Sequence, residues 1–221
     1  MNNIISAPWE LSGRGFITLY KFDKNFLSKT NIIPKFLKER RLKGFGAIMF
    51  VEYEESPVGP YYELLFIPGK FVIGNKKLAT ISKIYVSTQE SVDGGINNWG
   101  IPKEIADFEV HDIDKSRTSI TVEKDDQLIA SFVFKETFMP IPVSTNILKY
   151  PLIQKRKDKF YLTDFKGSGK GKMAIIEEQK FNDKNFPNIE NFTPIISVKV
   201  NPFNITFPKA DIRKGIEIGK K

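Results

Sequence analysis

The chain has 221 residues, 41% of them hydrophobic and 13% aromatic, which is enough to build the core of a single domain spanning residues 1–221. Because it has no cysteine, disulfides, iron–sulfur clusters and thiolate nucleophiles are excluded, and it has no run of about 18 apolar residues that could span a membrane. The formal charge of +8 is spread along the chain, so we expect weak attraction for small anions and no specific nucleic-acid partner.

The first half of the chain is predicted to form mostly strands. Its apolar segments are short and are bounded by Gly, Pro or Ser, as is typical of strands separated by turns. A capped helix begins at Asp23, and Pro34 interrupts anything longer. Strands are predicted, in chain order, at residues 15–20, 44–53, 61–67 and 79–87, followed by a short helix within residues 89–98.

The second half is also predicted to be rich in strands. Two alternating segments flank Asp125 and Asp126 and predict a hairpin. The glycine-rich segment 167–172 predicts a flexible loop, and its spacing excludes a phosphate-binding loop because Met173 stands where Ser or Thr is required. Strands are predicted at residues 119–124 and 127–134 and near 160–162, 173–176 and 194–200.

This pattern of many strands with few helices predicts a mainly β fold, a β-rich α+β domain built as a closed barrel or a sandwich. The first six residues contain neither a basic region nor a long apolar region, so we expect no signal peptide. A cytoplasmic location is the default expectation for a chain without cysteine.

One lysine, Lys103, stands out because it directly follows Pro102 in the segment Asn-Trp-Gly-Ile-Pro-Lys-Glu-Ile-Ala at residues 98–106. Proline stiffens the backbone on either side of itself, and apolar residues surround the lysine in sequence. A nucleophilic lysine needs such a setting, since burial disfavours the ammonium and releases the amine. The spacing alone fits a solvated lysine at a loop-to-strand junction better.

Glu63 is the second candidate, because it lies inside an apolar strand where an unpaired carboxylate would be costly to bury. Strand alternation places Glu63 on one face with Tyr61, and Tyr62 and Leu64 on the other. From the residues alone, that face could be solvent or a site. His111 is the only histidine, and a surface or hydrogen-bonded role is favoured over a triad or a zinc site.

Three stretches each contain a distinctive motif. They are residues 95–103, with Trp99-Gly100 before Pro102-Lys103, residues 7–16 at the N-terminus, and Gly59-Pro60-Tyr61-Tyr62-Glu63. In their order and approximate spacing they resemble the acetoacetate decarboxylase family. The resemblance runs from about residue 8 to residue 134.

The resemblance implies an antiparallel closed barrel with a few short helices and with Lys103 inside its mouth. It further implies a lyase in which Lys103 forms a Schiff base with a β-keto acid and carbon dioxide is released. Glu63 would face the lysine as an acid/base, Arg14 would hold the substrate carboxylate, and Tyr61 and Trp99 would line the pocket. No metal or organic cofactor is expected, the partner is a small keto acid and not a membrane, and the protein is expected to be a homo-oligomer.

Some positions depart from the family pattern and leave other functions open. Its second lysine is replaced by Glu104, its arginine by Ile96, and a second acidic position falls on Ile48. A Schiff-base aldolase or dehydratase acting on larger keto acids and a non-enzymatic ligand-binding barrel therefore remain alternatives. We expect Glu104 to point away from the pocket and burial to lower the pKa of Lys103.

Overall fold

The computed structural model describes residues 4–146 and 150–215. Strands dominate this part of the chain, as predicted. The two α-helices are α1 (Lys24–Lys29) and α2 (Gln89–Trp99), with a 3-10 turn at Lys35–Leu37. The strands of the described residues are β1 (Trp9–Tyr20), β2 (Gly46–Glu55), β3 (Tyr61–Ile67), β4 (Lys70–Ile73), β5 (Lys76–Ala79), β6 (Lys83–Val86), β7 (Glu104–Ile105), β8 (Asp107–Asp112), β9 (Arg117–Lys124), β10 (Gln127–Ser144), β11 (Leu152–Arg156), β12 (Lys159–Thr163), β13 (Lys166–Phe181), β14 (Ile196–Phe207) and β15 (Asp211–Arg213).

The larger sheet has ten strands in the order β7-β6-β3-β2-β1-β14-β13-β10-β9-β8. Its two edge strands, β7 and β8, are separated along the chain by Ala106 alone. Ile105 at the end of β7 and Asp107 at the start of β8 flank this one residue, so they can lie no more than about 7 Å apart. The two edges of the sheet must therefore meet, and the sheet must curl into a nearly closed barrel. This confirms the predicted mainly β barrel; the parallel β6–β7 pair is the exception to its antiparallel pairing.

The smaller sheet has five strands in the order β15-β12-β11-β5-β4, and α2 packs near β12. An added Cβ at Gly100 would lie 2.6 Å from the ring of Tyr161 on β12, so the end of α2 approaches this sheet closely. No helix within residues 4–146 or 150–215 has the length and apolar character needed to span a bilayer.

Strand β3 is buried on both faces. Leu64 and Phe66 belong to one apolar cluster, while Tyr61 and Leu65 belong to a second cluster on the opposite face. Glu63 shares the face of Tyr61 and Leu65 by alternation and is 5% exposed. The face of Glu63 that the sequence left open is therefore interior.

Two predicted elements are corrected by the structure. Residues 167–172 are not a flexible loop but part of β13, which pairs with β10 on one side and β14 on the other. An added Cβ at Gly169 would lie 2.6 Å from Val200 Cγ1, so the missing side chain allows close strand packing. The strand predicted at 79–87 is divided, because β5 belongs to the smaller sheet and β6 to the larger.

Candidate active site

Helix α2 sets the position of Lys103. The side chain of Thr88 caps the helix by accepting a hydrogen bond from the Ser91 backbone N–H. Gly100, with a φ of 64°, ends the helix in the left-handed conformation that glycine adopts without strain. Proline at 102 then stiffens the turn, and the Lys103 side chain runs back along the helix into the interior.

Gly95 leaves the space that the lysine stem occupies. A Cβ added at Gly95 would lie 2.6 Å from Lys103 Cδ and 2.7 Å from its Cε. Any larger residue at this position would push the lysine stem away from the helix.

Lys103 and Glu63 form a buried ion pair. Lys103 Nζ donates to Glu63 Oε2 at 2.7 Å and to Ser91 Oγ at 2.9 Å. The lysine and glutamate side chains are 5% and 6% exposed. The Tyr53 hydroxyl donates to the other carboxylate oxygen of Glu63 at 3.3 Å, and the ring centroid of Tyr61 lies 5.1 Å from Nζ. The expected juxtaposition of Lys103 and Glu63 is therefore present.

The charge state of Lys103 differs from the sequence-based expectation. Burial alone would lower the pKa of Lys103, but the negative charge of Glu63 and its hydrogen bond raise it, and the net pKa lies above the ordinary 10.5. The expected lowering of the Lys103 pKa is thus wrong, because the Glu63 carboxylate is buried beside the ammonium. Burial also raises the pKa of Tyr61 to about 12 and that of Tyr53 well above its ordinary value, so both phenols keep their protons.

Glu104 points away from this pair, as expected. Its carboxylate contacts Lys83 Nζ at 2.5 Å and Lys124 Nζ at 2.8 Å. Partial burial would raise the pKa of Glu104, but these two ammonium groups outweigh it and lower the pKa. The site loses the positive charge of a second lysine without gaining an inward-facing negative charge.

The ion pair lies in the wall of a cavity of about 180 Å³ that residues of both sheets line. Tyr61 and Trp99 line the cavity together with Lys103 and Glu63. The Trp99 indole N–H donates to the Pro208 carbonyl at 2.7 Å, which fixes the ring. Apart from Lys103 and Glu63, the described lining residues carry no charge.

Arg14 lies elsewhere. Its guanidinium contacts Glu52 at 2.6 Å and Asp112 at 2.8 Å, and it is not among the residues that line the cavity. Burial would lower the pKa of Arg14, but the two carboxylates raise it. Its guanidinium is paired with two carboxylates, so the structure does not bring Arg14 together with Lys103 and Glu63 at the cavity.

Two residues of the site, Ser91 and Tyr53, were missed by the sequence analysis, and Gly95, which belongs to the motif of residues 95–103, was given no role there. Ser91 and Gly95 are four residues apart on the helix that leads to Lys103, so they share one face, and two small residues there could have indicated close approach. Tyr53 is paired with Tyr61 across strands, which the register of a 44–53/61–67 hairpin could have suggested. Within residues 4–146 and 150–215, no group of three or more His, Asp or Glu side chains could hold a metal ion.

Comparison with known proteins agrees with this geometry. The family model for acetoacetate decarboxylase (ADC) matches residues 3–153, so the chain belongs to the acetoacetate decarboxylase family. A comparison of the sequence with curated proteins found no match.

Solved structures of the same fold cover nearly the whole chain. Acetoacetate decarboxylase from Legionella pneumophila subsp. pneumophila str. Philadelphia 1 has a TM-score of 0.72 at 14% identity and covers 96% of this chain and 90% of its own. An acetoacetate decarboxylase-like enzyme from Sphingomonas wittichii RW1 has a TM-score of 0.71 at 11% identity, with 96% and 95% covered. The enduracididine biosynthesis enzyme MppR, complexed with the condensation product of pyruvate and imidazole 4-carboxaldehyde, has a TM-score of 0.62 at 13% identity, with 94% and 90% covered. These relatives are enzymes, so the family to which the chain belongs is a family of enzymes.

Proposed function

We propose that this protein is a lyase that forms a Schiff base between Lys103 and the ketone of a β-keto acid and then releases carbon dioxide. The observation that carries the proposal is the Lys103–Glu63 pair, 2.7 Å apart and buried in the wall of an otherwise uncharged cavity. A reactive amine with an adjacent proton acceptor is the arrangement that covalent catalysis by lysine requires.

The first step is transfer of one proton from the Lys103 ammonium to Glu63 across their hydrogen bond. The neutral amine adds to the ketone carbon and gives a carbinolamine. Glu63 returns its proton to the carbinolamine oxygen, which leaves as water, and a positively charged iminium on Lys103 remains. Ser91, 2.9 Å from Nζ, and Tyr53, hydrogen-bonded to Glu63, hold the two reacting groups in place.

In the second step the iminium accepts the electron pair of the breaking carbon–carbon bond. Carbon dioxide leaves and a neutral enamine remains on Lys103. Glu63, which has taken up a proton from solvent water, protonates the enamine carbon and restores an iminium. Water then hydrolyses this iminium, releases the ketone and regenerates the lysine.

The electrostatics of the cavity favour loss of the carboxylate. Among the described lining residues, Lys103 is the one cation, so no second positive charge compensates a substrate carboxylate. A carboxylate held in apolar surroundings is destabilised relative to neutral carbon dioxide. A reaction that retains the carboxylate would gain nothing from this environment.

Borohydride trapping tests the proposal. The protein is incubated with acetoacetate and with longer 3-oxo acids, reduced, digested and mapped by mass spectrometry, while carbon dioxide release is followed in parallel. The adduct should fall on Lys103, and Lys103→Ala should abolish both adduct and turnover. Lys83→Ala is the matched control, because Lys83 also pairs with a glutamate but does not line the cavity. Scattered labelling of other lysines with Lys103 unmodified would favour a non-enzymatic ligand-binding barrel.

A second candidate is condensation or dehydration through the same Schiff base. It is favoured by the structural similarity to MppR, which was solved with a condensation product of pyruvate. Adding pyruvate with an aromatic aldehyde to the same panel separates the two: a larger condensation adduct on Lys103 without carbon dioxide release would replace decarboxylation as the assigned reaction.

A further inference from the structure

Some cavity-facing side chains of β1 and β2 are less well covered than the side chains on the reverse face of these strands. Phe16 and Ile48 on the reverse face of β1 and β2 are 4% and 3% exposed. Their alternating neighbours Ile17 and Met49 line the cavity and remain partly accessible. Large apolar side chains that stay accessible inside a cavity indicate a surface that an apolar ligand would cover.

The strand register shows where this surface lies relative to the reactive pair. Glu63 is opposite Val51, and Val51 is opposite Gly15, so these three residues form one row across the wall. The next row that faces the cavity lies two residues farther along each strand and consists of Leu65, Met49 and Ile17. Each row is displaced by about 6.6 Å from the one before it, and Ile67 on β3 lies about 13 Å from Glu63 along the strand.

This apolar surface is continuous with the reactive lysine. All of these residues line the same cavity as Lys103, and beyond Lys103 and Glu63 its described lining carries no charge. A charged substituent on the substrate would be desolvated there without an ion partner. The cavity of about 180 Å³ is somewhat larger than apolar cavities of about 150 Å³ that take up benzene.

We propose that the substrates are 3-oxo acids with an apolar tail of about three to five carbons on the keto side, and that the row Leu65–Met49–Ile17 binds this tail. This inference rests on the proposed Schiff-base decarboxylation, because it takes Lys103 as the point to which the keto carbon is bound. The methyl group of acetoacetate would leave the apolar row uncovered.

The direct test is a chain-length series. Carbon dioxide release is measured for acetoacetate, 3-oxohexanoate and 3-oxooctanoate, and kcat/KM is compared. Burying one methylene contributes ~0.8 kcal/mol, about a fourfold factor, so 3-oxohexanoate should exceed acetoacetate about 15-fold. A kcat/KM that is highest for acetoacetate would overturn the inference while leaving the proposed decarboxylation intact.

A variant at the apolar row gives a second measurement. Ile17→Phe should fill part of the tail site and lower the ratio of kcat/KM for 3-oxooctanoate to that for acetoacetate about 15-fold, the equivalent of about two buried methylenes. The matched control is Ile175→Phe, the same change at a residue that is 55% exposed and does not line the cavity. An equal ratio in the two variants would place the tail elsewhere.

Binding without chemistry distinguishes failure of the tail site from failure of the reaction. Calorimetry on Lys103→Ala with acetone, 2-pentanone and 2-heptanone, the product ketones of the series, should show affinity rising about fourfold per methylene. If no 3-oxo acid reacts but this rise is found, the tail site stands and the decarboxylation is wrong. If affinity does not change with length, the tail site is wrong.

Discussion

At the scale of single residues, the Lys103–Glu63 pair determines what the site can do. Removing one member of a buried ion pair leaves the other charge uncompensated, and the Glu63 carboxylate raises the pKa of Lys103. The pair favours the ammonium, and in the proposed mechanism the neutral amine forms when Glu63 takes up the proton. In the proposed mechanism, the Glu63 carboxylate therefore stabilises the Lys103 ammonium and also accepts its proton when the neutral amine is needed.

This dual role predicts opposite effects of Glu63→Gln on labelling and on turnover. The pKa of Lys103 lies above 10.5 mainly because the Glu63 charge overcomes burial; without that charge, burial lowers the pKa and the neutral amine fraction at about pH 8 rises. Reductive methylation of Lys103 with formaldehyde should become at least about tenfold faster, which corresponds to a shift of one pKa unit. Decarboxylation should fall, because the proton carrier is gone. A labelling rate equal to wild type from about pH 7 to 10 would contradict the account.

Ser91 is expected to position the lysine. Ser91→Ala removes a hydrogen bond to a charged group, and such bonds contribute about 1.5–3 kcal/mol, so turnover should drop at least about tenfold. Ser91→Thr, which keeps the hydroxyl, should retain more activity than the alanine variant. Ser82→Ala is the control, because the buried Ser82 Oγ has no hydrogen-bond partner among the described residues. Equal turnover of Ser91→Ala and Ser82→Ala would show that the Ser91 contact is dispensable.

At the scale of elements, helix α2 and the turn after it position the side chain of Lys103. Gly95→Ala would place a Cβ within 2.6 Å of the lysine stem and displace Nζ from Glu63. We expect kcat to fall with little change in the unfolding midpoint, because alanine favours the helix while it disturbs the site. Gly215→Ala is the control, since a Cβ there meets nothing within 4 Å. A fully active Gly95→Ala variant would mean that the lysine tolerates another path.

Local signals predicted the helices better than they predicted the strands. Helix α1 begins where Asp23 caps it, and α2 begins at Thr88 and ends at Gly100, as those residue types favour. The glycine-rich part of β13 gave no such signal, because its two partner strands lie far away in sequence. The meeting of Lys103 with Glu63 followed from the family resemblance, whereas no residue pattern indicated that Arg14 would be neutralised by Glu52 and Asp112.

At the scale of the whole molecule, part of the outer surface is unusually apolar. Phe138 is fully exposed, and neighbouring Met139 is 63% exposed, both on β10. Exposed apolar patches on a folded domain are often contact surfaces, which agrees with the expectation of a homo-oligomer. Light scattering should therefore give a multiple of the 25.3 kDa chain mass, and Phe138→Glu should reduce it. A wild-type protein that is monomeric at micromolar concentration would contradict this expectation.

The near closure of the barrel has a consequence for how the site is reached. The ring of strands closes beside Ala106, and β7, which follows Lys103 directly, joins the sheet through only two residue pairs with β6. The stretch of wall with the fewest backbone hydrogen bonds therefore adjoins the nucleophile. Local unfolding starts where such bonds are few, so the amide of Ile105 should exchange with deuterium faster than that of Leu64 in the middle of the sheet. The barrel wall should therefore open first beside Lys103, the proposed nucleophile.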